Sequence, residues 1–412
     1  MFFSRLSLGK LAAVALLSPA LVLTAPTLRL VNRDVSWDYN DGIVRGVNLG
    51  GWFVLEPWIT PSMFPDDGSA VDEYTLSQIL GGDAQTVLSN HWNSWITQDD
   101  FNQIAGAGLN HVRIPIGYWA IAPIAGDPYV QGQLDVLDQA IGWARDVGLR
   151  VIIDLHGGKV KHFTLDFQGD TVQQTLTAIR GLAERYANQA DVVTGIELVN
   201  EPLGPVIDLD QLKQFYYDGW GTIRDSNTYT VVVIHDAFEQ PVEFWNGFMN
   251  TQAGVNDVML DTHAYQIFDD GQVAMDLSGH VSTACSFGTS EVSPTDKWTI
   301  VGEWTGAMTD CAKWLNGLGK GARYDGTFPG STYVGSCDGK YTGTVAGLSD
   351  SDKANIRQYI EAQMDAYERR TGWFFWTWKT ESAPEWHLQD LLGNGVFPQP
   401  LTDRQFLPIC QR

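Results

Sequence analysis

The sequence predicts an α/β fold, a (β/α)8 TIM barrel with long loop insertions at the carboxyl-terminal face of its strands. Short β-branched or apolar runs, typical of buried parallel strands, alternate with longer segments of helical periodicity. Eight such units follow one another without a Pro- or Ser-rich linker, which favours one barrel over two separate domains. We therefore expect residues 26–412 to form a single domain.

The eight runs predicted as strands are Ile43–Leu49, His111–Tyr118, Arg150–Leu155, Val193–Val199, Tyr229–His235, Val258–His263, Trp298–Gly302 and Gly372–Trp378. Helices are predicted at Gln98–Ala107, Leu134–Val147, Thr171–Ala187, Leu209–Arg224 and Ser351–Arg370. The chain has 412 residues, more than the roughly 250 of an ordinary barrel. We expect the surplus in insertions, the longest lying between the first two strands and at Ser282–Lys297 and Gly317–Leu348.

Residues 1–25 have the layout of a secretory signal peptide. Two basic residues precede an apolar stretch that begins at Leu11 and ends among small residues. A retained membrane anchor is the alternative, which the interruption at Ser18 and Pro19 disfavours. We expect cleavage between Pro19 and Pro26 and a secreted protein, extracellular or in the cell wall.

All four cysteines lie in the last third of the chain. An even number in a secreted protein favours disulfides, and no Cys-x-x-Cys spacing supports a zinc site. Of the three pairings that four cysteines allow, we favour Cys311 with Cys337, which closes a local loop. Cys285 then pairs with Cys410 and ties down the carboxyl terminus.

The charge balance limits the classes of partner. Asp and Glu number 49 against 26 Lys and Arg, a formal net charge of −23. Such a surface repels phosphate backbones and anionic lipid headgroups, so neither nucleic acid nor a membrane is expected as a partner. With 16 Trp, 18 Phe and 14 Tyr, the chain instead suits a neutral polar ligand whose apolar faces lie against aromatic rings, such as a carbohydrate.

Two glutamates stand at the carboxyl ends of predicted strands, where the chemistry of a barrel is placed. Glu201 follows the fourth run within Asn200-Glu201-Pro202, and Glu303 ends the seventh. Two carboxylates across a barrel mouth suit glycoside hydrolysis, in which one protonates the leaving oxygen and the other attacks or activates water. Taken singly, a glutamate after a strand is more often a capping or salt-bridged residue.

Further polar side chains end the neighbouring runs. Arg113, after the second strand, is suited to hold a carboxylate ionised. His156, His235 and His263 end three runs; each alone is more often a hydrogen-bonded core residue, but together they fit a polar pocket. A metal site is weakly supported, because neither His-x-His nor His-Glu-x-x-His occurs and paired carboxylates need no metal or cofactor. Aromatic residues suited to sugar stacking at the strand ends are Trp52, Phe53, Trp58, Phe268, Trp376 and Trp378.

Seven segments spread over the chain from about residue 30 to the carboxyl terminus carry a family resemblance. They read GVNLGGWFVLEPWITPSMF, NHVRIPIGYWA, GIELVNEPLGP, LDTHAYQIF, VGEWTGAMTDCAKWLNG, GARYDG and WTWKTESAPEW. Together they resemble glycoside hydrolase family five and, within it, the secreted fungal exo-β-1,3-glucanases.

The resemblance implies a retaining double displacement, with Glu201 at the acid/base position and Glu303 at the nucleophile position. The two carboxyl groups are then expected about 5–5.5 Å apart. Glu201 lacks the cation that stabilises its partner and feels the charge of Glu303, so we expect it to have the higher pKa of the two.

The resemblance also implies roles for the surrounding side chains. Arg113 and Tyr265 match residues that contact the nucleophile, and Asn200 matches one that hydrogen-bonds the 2-hydroxyl of the sugar being cleaved. The residues that match positions lining the terminal-sugar subsite are Glu56, His156, His263 and Trp376.

The chain departs from the family pattern after the third strand. Here DLHG continues into GKVKHFTLDFQGD, which is shorter than the usual loop and lacks its clamping Phe in an obvious register. Phe163 and Phe167 are both candidates to replace that ring opposite Phe268. The residues of the leaving-group subsite are therefore not predicted. The segment is either an authentic loop variant or the product of mistranslation or mis-splicing.

The expected function is that of a secreted, monomeric exo-β-1,3-glucanase acting on β-glucan at non-reducing ends. Two alternatives remain at this point. One is an endo-acting β-glucanase of the same fold, and the other is a glucan-binding protein that has lost turnover. Retention of both glutamates speaks against the second alternative.

Overall fold

Eight parallel strands pair in chain order and close into a barrel, with the eighth paired to the first. The computed structural model describes residues 37–157, 170–226, 229–406 and 408–410. The strands are β1 (Val44–Asn48), β2 (His111–Gly117), β3 (Arg150–Gly157), β4 (Val193–Glu197), β5 (Val231–His235), β6 (Val258–Ala264), β7 (Trp298–Trp304) and β8 (Gly372–Phe375). The predicted TIM barrel is confirmed.

Helices connect the strands on the outside of the barrel. They are α1 (Glu73–Leu80), α2 (Ala84–Ser94), α3 (Gln98–Gly106), α4 (Gln133–Val147), α5 (Thr171–Tyr186), α6 (Leu209–Asp225), α7 (Pro241–Trp245), α8 (Asp270–Val273), α9 (Leu277–Phe287), α10 (Asp350–Tyr367) and α11 (Leu388–Gly393). Short 3₁₀ turns lie at Pro61–Met63, Gly81–Asp83, Tyr118–Ala120, Gly204–Val206, Thr251–Ala253, Val345–Gly347 and Pro384–Trp386. None of the helices in the described part of the chain is long and apolar enough to cross a membrane.

One predicted insertion is wrong. Most of Ser282–Lys297 is helical, because α9 runs directly into a π-helical turn at Gly288–Val292. The Gly, Ser and Thr content of this segment is not typical of a helix. Helix α9 begins after Asp276, whose side-chain carboxylate caps it by accepting the Gly279 N–H. Tertiary packing against α10 outweighs the weak local propensity.

Strand β4 ends two residues earlier than predicted, at Glu197. The next residues nevertheless keep single backbone hydrogen bonds to the neighbouring strands, from the Leu198 N–H to Val233 and from the Asn200 N–H to Leu155. The loop that carries Glu201 therefore starts from a fixed position. Similarly, β8 ends at Phe375, so that Trp376 lies just beyond the sheet.

The barrel interior divides into an apolar floor and an ionic layer above it. Because side chains alternate along a strand, Ile152 on β3 and Met259 on β6 lie below Asp154 and Asp261. The floor consists of Val44, Ile152, Val231, Val233, Met259, Ile300 and Phe374. The ionic layer consists of Asn48, Arg113, Asp154, Glu197 and Asp261, none of them exposed.

Both disulfides of the favoured pairing are present. Cys311 and Cys337 are bonded within the insertion after β7, and Cys285 on α9 is bonded to Cys410. The second bond attaches the carboxyl-terminal segment to a helix of the barrel. The predicted signal peptide, residues 1–25, lies outside the described residues.

Three buried carboxyl groups should make the protein more stable at pH 5 than at pH 8. Burial raises the pKa of Glu73 to about 8 and the pKa values of Asp236 and Glu385 to about 7. Between these values and the ordinary carboxyl pKa near 4, the folded state binds more protons than the unfolded chain, so the free energy of unfolding falls as pH rises. Calorimetry at the two pH values should show the lower Tm at pH 8, by roughly 1–2 °C for each kcal/mol lost in a domain of this length.

A glutamine at position 73 provides the internal check on this prediction. Glu73→Gln removes one of the three groups and should flatten the dependence of Tm on pH, because glutamine does not titrate. Glu184→Gln, at an exposed position on α5, should leave the dependence unchanged. A parent Tm that increases from pH 5 to pH 8 would contradict the assignment.

Candidate active site

Arg113 occupies the centre of the barrel mouth, with its side chain fully buried. It extends from β2 and donates hydrogen bonds to side chains on or just after three other strands, β1, β4 and β7. The acceptors are Glu197 at 2.8 Å, Asn200 at 2.8 Å, Glu303 at 2.9 Å and Asn48 at 3.0 Å, and Asp154 lies 3.1 Å away. Burial disfavours its charge, but these carboxylates outweigh the cost and keep the pKa of Arg113 well above its usual value.

Glu303 is held by a donor on each of its two carboxylate oxygens. Its Oε1 accepts from Arg113 Nη1 at 2.9 Å, and its Oε2 accepts from the Tyr265 hydroxyl at 2.8 Å. Only 4% of the residue is exposed. Burial, together with the charge of Glu201, raises the pKa of Glu303 despite the opposing charges of His263 and Arg113. The geometry fixes the carboxylate in one orientation.

Glu201 lies just beyond β4 with a left-handed backbone, φ 44°. A residue with a side chain rarely adopts this conformation except where neighbouring contacts impose it. Its Oε1 is 2.6 Å from Nδ1 of His263. Burial raises the pKa of Glu201, but the hydrogen bond and charge of His263, with the charges of His156 and Arg113, bring it below its usual value.

The expected order of the two pKa values is therefore wrong for the protein without substrate. That expectation treated Glu201 as lacking a cation, whereas His263 provides one. Carboxylates on several sides outweigh the burial of His263 and raise its pKa well above the usual range. The sequence places His263 at a strand end but does not show which carboxylate its ring nitrogen contacts.

His263 also sets an upper limit on the distance between the two carboxylates. Its Nδ1 is 2.6 Å from an oxygen of Glu201 and 3.5 Å from an oxygen of Glu303. These two oxygens are thus at most about 6 Å apart, which favours the roughly 5–5.5 Å spacing of retaining glycosidases over the roughly 6.5–9.5 Å of inverting ones.

The residues expected around the terminal sugar lie close to one another or to the two glutamates. His156 is parallel to the Trp376 ring, with centroids 5.4 Å apart and planes at 11°, and its Nδ1 is 2.7 Å from Asp154. Glu56 is half-buried and accepts a hydrogen bond from the Trp58 indole at 2.9 Å. Burial raises the pKa of Glu56 to about 7, and the charges of His156, Glu201 and Glu303 also act on it. His156 therefore connects Trp376, through the ring contact, with Glu56, through its charge.

Phe268 is 44% exposed and makes an edge contact with Tyr265, with ring centroids 5.6 Å apart. It follows β6 at the outer edge of the site. An exposed ring in this position is available to a sugar bound beyond the cleavage point. Phe163 and Phe167, the two candidates for the opposing ring, lie outside the described residues.

Long insertions surround the mouth and are tied to one another. The Ser62 N–H and hydroxyl, after β1, donate to Glu381 after β8 at 2.9 and 2.5 Å. Lys313 after β7 is paired with Asp66 at 3.1 Å, and Ser331 in the same insertion donates to Asp270 after β6 at 2.5 Å. Hydrogen bonds and an ion pair therefore join four of the connecting segments to one another.

Several residues of this site were not predicted from the sequence. Asn48, Asp154, Glu197 and Asp261 all belong to the buried ionic layer around Arg113. The sequence does contain one signal for the three acidic residues. Each stands within an otherwise apolar strand, two positions from an inward-facing neighbour, which indicates a buried carboxylate inside the barrel. Trp386 was also missed; its ring lies 5.5 Å from that of Tyr265.

Two groups of side chains have ligand atoms close enough together to be considered for a metal. They are Glu201 with His235 and His263, and Glu197 with Asp261 and His263. However, Nδ1 of His235 accepts the Ala237 N–H at 2.9 Å, which places the hydrogen of a neutral ring on the other nitrogen. Both nitrogens of His263 face carboxylates. The contacts therefore favour hydrogen bonding over metal binding, with His235 as a neutral ring and His263 as a ring that faces a carboxylate on each side.

Comparisons with known proteins identify relatives of this chain. The family model described as "Cellulase (glycosyl hydrolase family 5)" matches residues 78–322. A glucan 1,3-beta-glucosidase from Blumeria graminis is 59% identical over 97% of this chain and 96% of its own length. A probable glucan 1,3-beta-glucosidase A from Aspergillus niger is 54% identical, covering 97% and 98%.

A solved structure has a fold similar to that of this chain. Rutinosidase from Aspergillus niger matches with a TM-score of 0.67 at 18% identity, covering 88% of this chain and 99% of that one. The region matched by the family model runs from α1 into the insertion after β7 and contains both Glu201 and Glu303. With relatives of more than half identity over nearly its full length, the chain belongs to glycosyl hydrolase family 5.

Proposed function

We propose that the protein is a secreted, retaining exo-β-1,3-glucanase that releases glucose from the non-reducing ends of β-1,3-glucan. The observation that carries this proposal is the pairing of Glu303, fixed by Arg113 and Tyr265, with Glu201 at most about 6 Å away. The substrate class is supported by the names of the relatives, which match this chain over nearly its whole length.

In the first half of the reaction, Glu303 acts as the nucleophile. A carboxylate oxygen of Glu303 bonds to the anomeric carbon while the bond from that carbon to the glycosidic oxygen breaks. Glu201 gives its proton to the departing oxygen. Arg113 and Tyr265 hold the attacking carboxylate in place, so little reorientation is needed when the bond forms.

In the second half, water replaces the leaving sugar. Glu201, now ionised, takes a proton from the water, and the water oxygen bonds to the anomeric carbon as the ester to Glu303 breaks. The two inversions return the β configuration. The chemistry uses the two carboxylates and requires no cofactor.

His263 provides a route by which the two carboxylates reach the protonation states that this mechanism needs. The reaction needs a proton on Glu201 and an ionised carboxylate on Glu303. Nδ1 of His263 lies beside both carboxylates, so a proton can pass from one to the other without entering solvent.

The contacts among the insertions around the mouth support exo action. The contacts of Ser62 with Glu381 and of Lys313 with Asp66 join the segments after β1, β7 and β8 beside the terminal-sugar residues. A glucan chain that enters such a pocket is stopped at its end. We assign Glu56, His156 and Trp376 to recognition of that terminal glucose, Asn200 to its 2-hydroxyl and Phe268 to the next sugar.

The rest of the proposal concerns the mature protein. Residues 1–25 are the signal peptide and residues 26–412 the single catalytic domain. The protein acts as an extracellular or cell-wall monomer. The excess of acidic residues suits an uncharged polysaccharide substrate and disfavours nucleic acids and anionic membranes.

Product analysis on borohydride-reduced laminari-oligosaccharides tests the exo assignment. We expect glucose as the first product, together with a chain shortened by one unit, because the closed end of the pocket admits one terminal sugar. Proton NMR during the first minutes should show the β-anomer of glucose, as two inversions require.

Other product patterns identify the alternatives. Mixed oligosaccharides that appear before glucose mean endo action in an open cleft. Binding to laminarin without hydrolysis means a glucan-binding protein. An initial α-anomer means a single displacement and contradicts the retaining mechanism.

A further inference from the structure

Asp261 is a fully buried carboxylate on β6 that contacts a neighbour of each catalytic candidate, Gly302 beside Glu303 and His263 beside Glu201. Its Oδ1 accepts the backbone N–H of Gly302, the residue before Glu303, at 2.7 Å. Its Oδ2 is 3.5 Å from Nε2 of His263 and 3.8 Å from Nε of Arg113. Each oxygen of one side chain thus faces a different part of the site.

The first contact lies at an irregularity in the sheet. The pairing of β6 with β7 shifts between Thr262 and His263, so that Thr262 is opposite Val301 and His263 is opposite Glu303. Gly302 is left without a partner residue, and its N–H bonds the side chain of Asp261 instead of the β6 backbone. This is a β-bulge of one residue on β7.

The bulge determines which way Glu303 points. Ile300 belongs to the apolar floor inside the barrel, so regular alternation would direct Gly302 and Trp304 inward and Glu303 outward. Instead, Trp304 packs outside the barrel against Tyr367 of α10, and Glu303 reaches Arg113 inside. The extra residue therefore turns the nucleophile into the pocket.

Gly302 and Asp261 are sterically matched at the bulge. A Cβ built on Gly302 would lie 2.0 Å from Oδ2 of Asp261, far inside van der Waals contact. The aspartate side chain fills the space that a side chain on residue 302 would need. No hydrogen-bond partner within the described structure is available to Oδ2 of Asp261 or to Nε2 of His263, so the pair interacts mainly through charge across 3.5 Å.

We infer that Asp261 is a positioning residue for both catalytic carboxylates. Through Gly302 it maintains the bulge that aims Glu303, and through His263 it maintains the charged ring that donates to Glu201. The inference rests on the proposed function of that pair. The charged and titratable groups facing His263 or its partners include Glu197 on β4, Glu201 after it, His235 and Asp236 at β5, Asp261, Glu303 on β7 and Arg113 on β2.

Asp261→Asn tests the inference with little change in shape. An asparagine keeps the oxygen that accepts the Gly302 N–H but removes the charge beside His263. We expect kcat on laminaribiose to fall about 10- to 100-fold with KM little changed, the range found when an outer hydrogen-bond partner of a reacting group is lost. An aryl glucoside with a good leaving group needs little help from Glu201, so its kcat should fall less.

The pH profile distinguishes this role from simple scaffolding. Without the negative charge, His263 loses its proton at lower pH, so the alkaline limb of kcat/KM should move to lower pH. Glu361→Gln is the matched control: Glu361, on α10, is also a fully buried carboxylate with one oxygen on a backbone N–H, that of Phe406, and the other beside a cation, Arg357, but both contacts lie outside the site. It should retain the parent kcat and alkaline limb.

Parental kcat and an unmoved alkaline limb in Asp261→Asn would overturn the inference while leaving the proposed function intact. Loss of glucosidase activity in the parent protein would instead remove the proposed function. Should Asp261→Asn fail to fold, nitrogen-15 histidine NMR of the parent decides, with the His263 signal identified by its absence in His263→Gln. A doubly protonated His263 ring at pH 7 supports the inference, and a neutral ring at pH 7 contradicts it.

Discussion

Glu303→Ala should lower kcat on laminaribiose by about 10⁵- to 10⁶-fold, because the glycosyl ester cannot form without its carboxylate. Arg113 and Tyr265 remain in place but have no nucleophile to hold. Glu201→Ala should also be severely impaired on laminaribiose, whose leaving sugar needs a proton, but less so on an aryl glucoside with a good leaving group. Steady-state assays on both substrates measure the two effects.

Sodium azide assigns the two roles separately. In Glu303→Ala, azide attacks in place of the carboxylate in one inversion and should yield the α-glucosyl azide. In Glu201→Ala, the ester to Glu303 still forms and azide displaces it, which should yield the β-glucosyl azide. The product configurations are read by proton NMR. Exchanged configurations would reverse the assignment.

A glutamate outside the site provides the control. Glu243 is exposed on α7, and Glu243→Ala should retain parental kcat and form no azide product beyond that of the parent. If Glu303→Ala keeps more than about a tenth of the parent activity, the nucleophile has been misassigned.

Arg113→Met should lower the free energy of unfolding by roughly 3–5 kcal/mol, the cost of leaving buried charges without their partner. The substitution keeps much of the side-chain volume but removes the cation that contacts Asp154, Glu197 and Glu303. Urea unfolding followed by tryptophan fluorescence measures the loss. Activity should also fall, because Glu303 loses the donor on Oε1.

The pH dependence of this loss provides a specific signature. Without Arg113, the buried carboxylates retain stability only by binding protons, so the deficit of Arg113→Met relative to the parent should be larger at pH 8 than at pH 5. Arg185→Met is the control, since Arg185 pairs with Asp138 at the surface, where such pairs contribute less than about 1 kcal/mol. Equal losses in the two variants would show that the Arg113 network contributes little.

Much of the site follows from the sequence because a barrel places the carboxyl ends of its strands together. Once eight runs are recognised, Arg113, Glu201, His263 and Glu303 must surround one opening. Their residue types then indicate hydrolysis of a glycosidic bond. This reasoning needs no side-chain orientation, which explains why it succeeds.

Features that depend on side-chain orientation could not be predicted from the sequence in the same way. Regular alternation places Glu303 outside the barrel, and the bulge at Gly302 that reverses it depends on the side chain of Asp261. The pKa order of the two glutamates depends on which of them His263 contacts. Both are contacts between residues far apart in sequence, and local patterns carry no information about them.

The ties among the insertions bear on how the protein would travel along its substrate. For an exo-acting pocket bordered by the contacts of Ser62 with Glu381 and Lys313 with Asp66, the freed glucose sits behind the remaining polymer. It can leave only after that polymer has withdrawn. Each cleavage must then end in complete dissociation of the glucan, which makes degradation distributive and gives every chain end in solution the same chance of being shortened next.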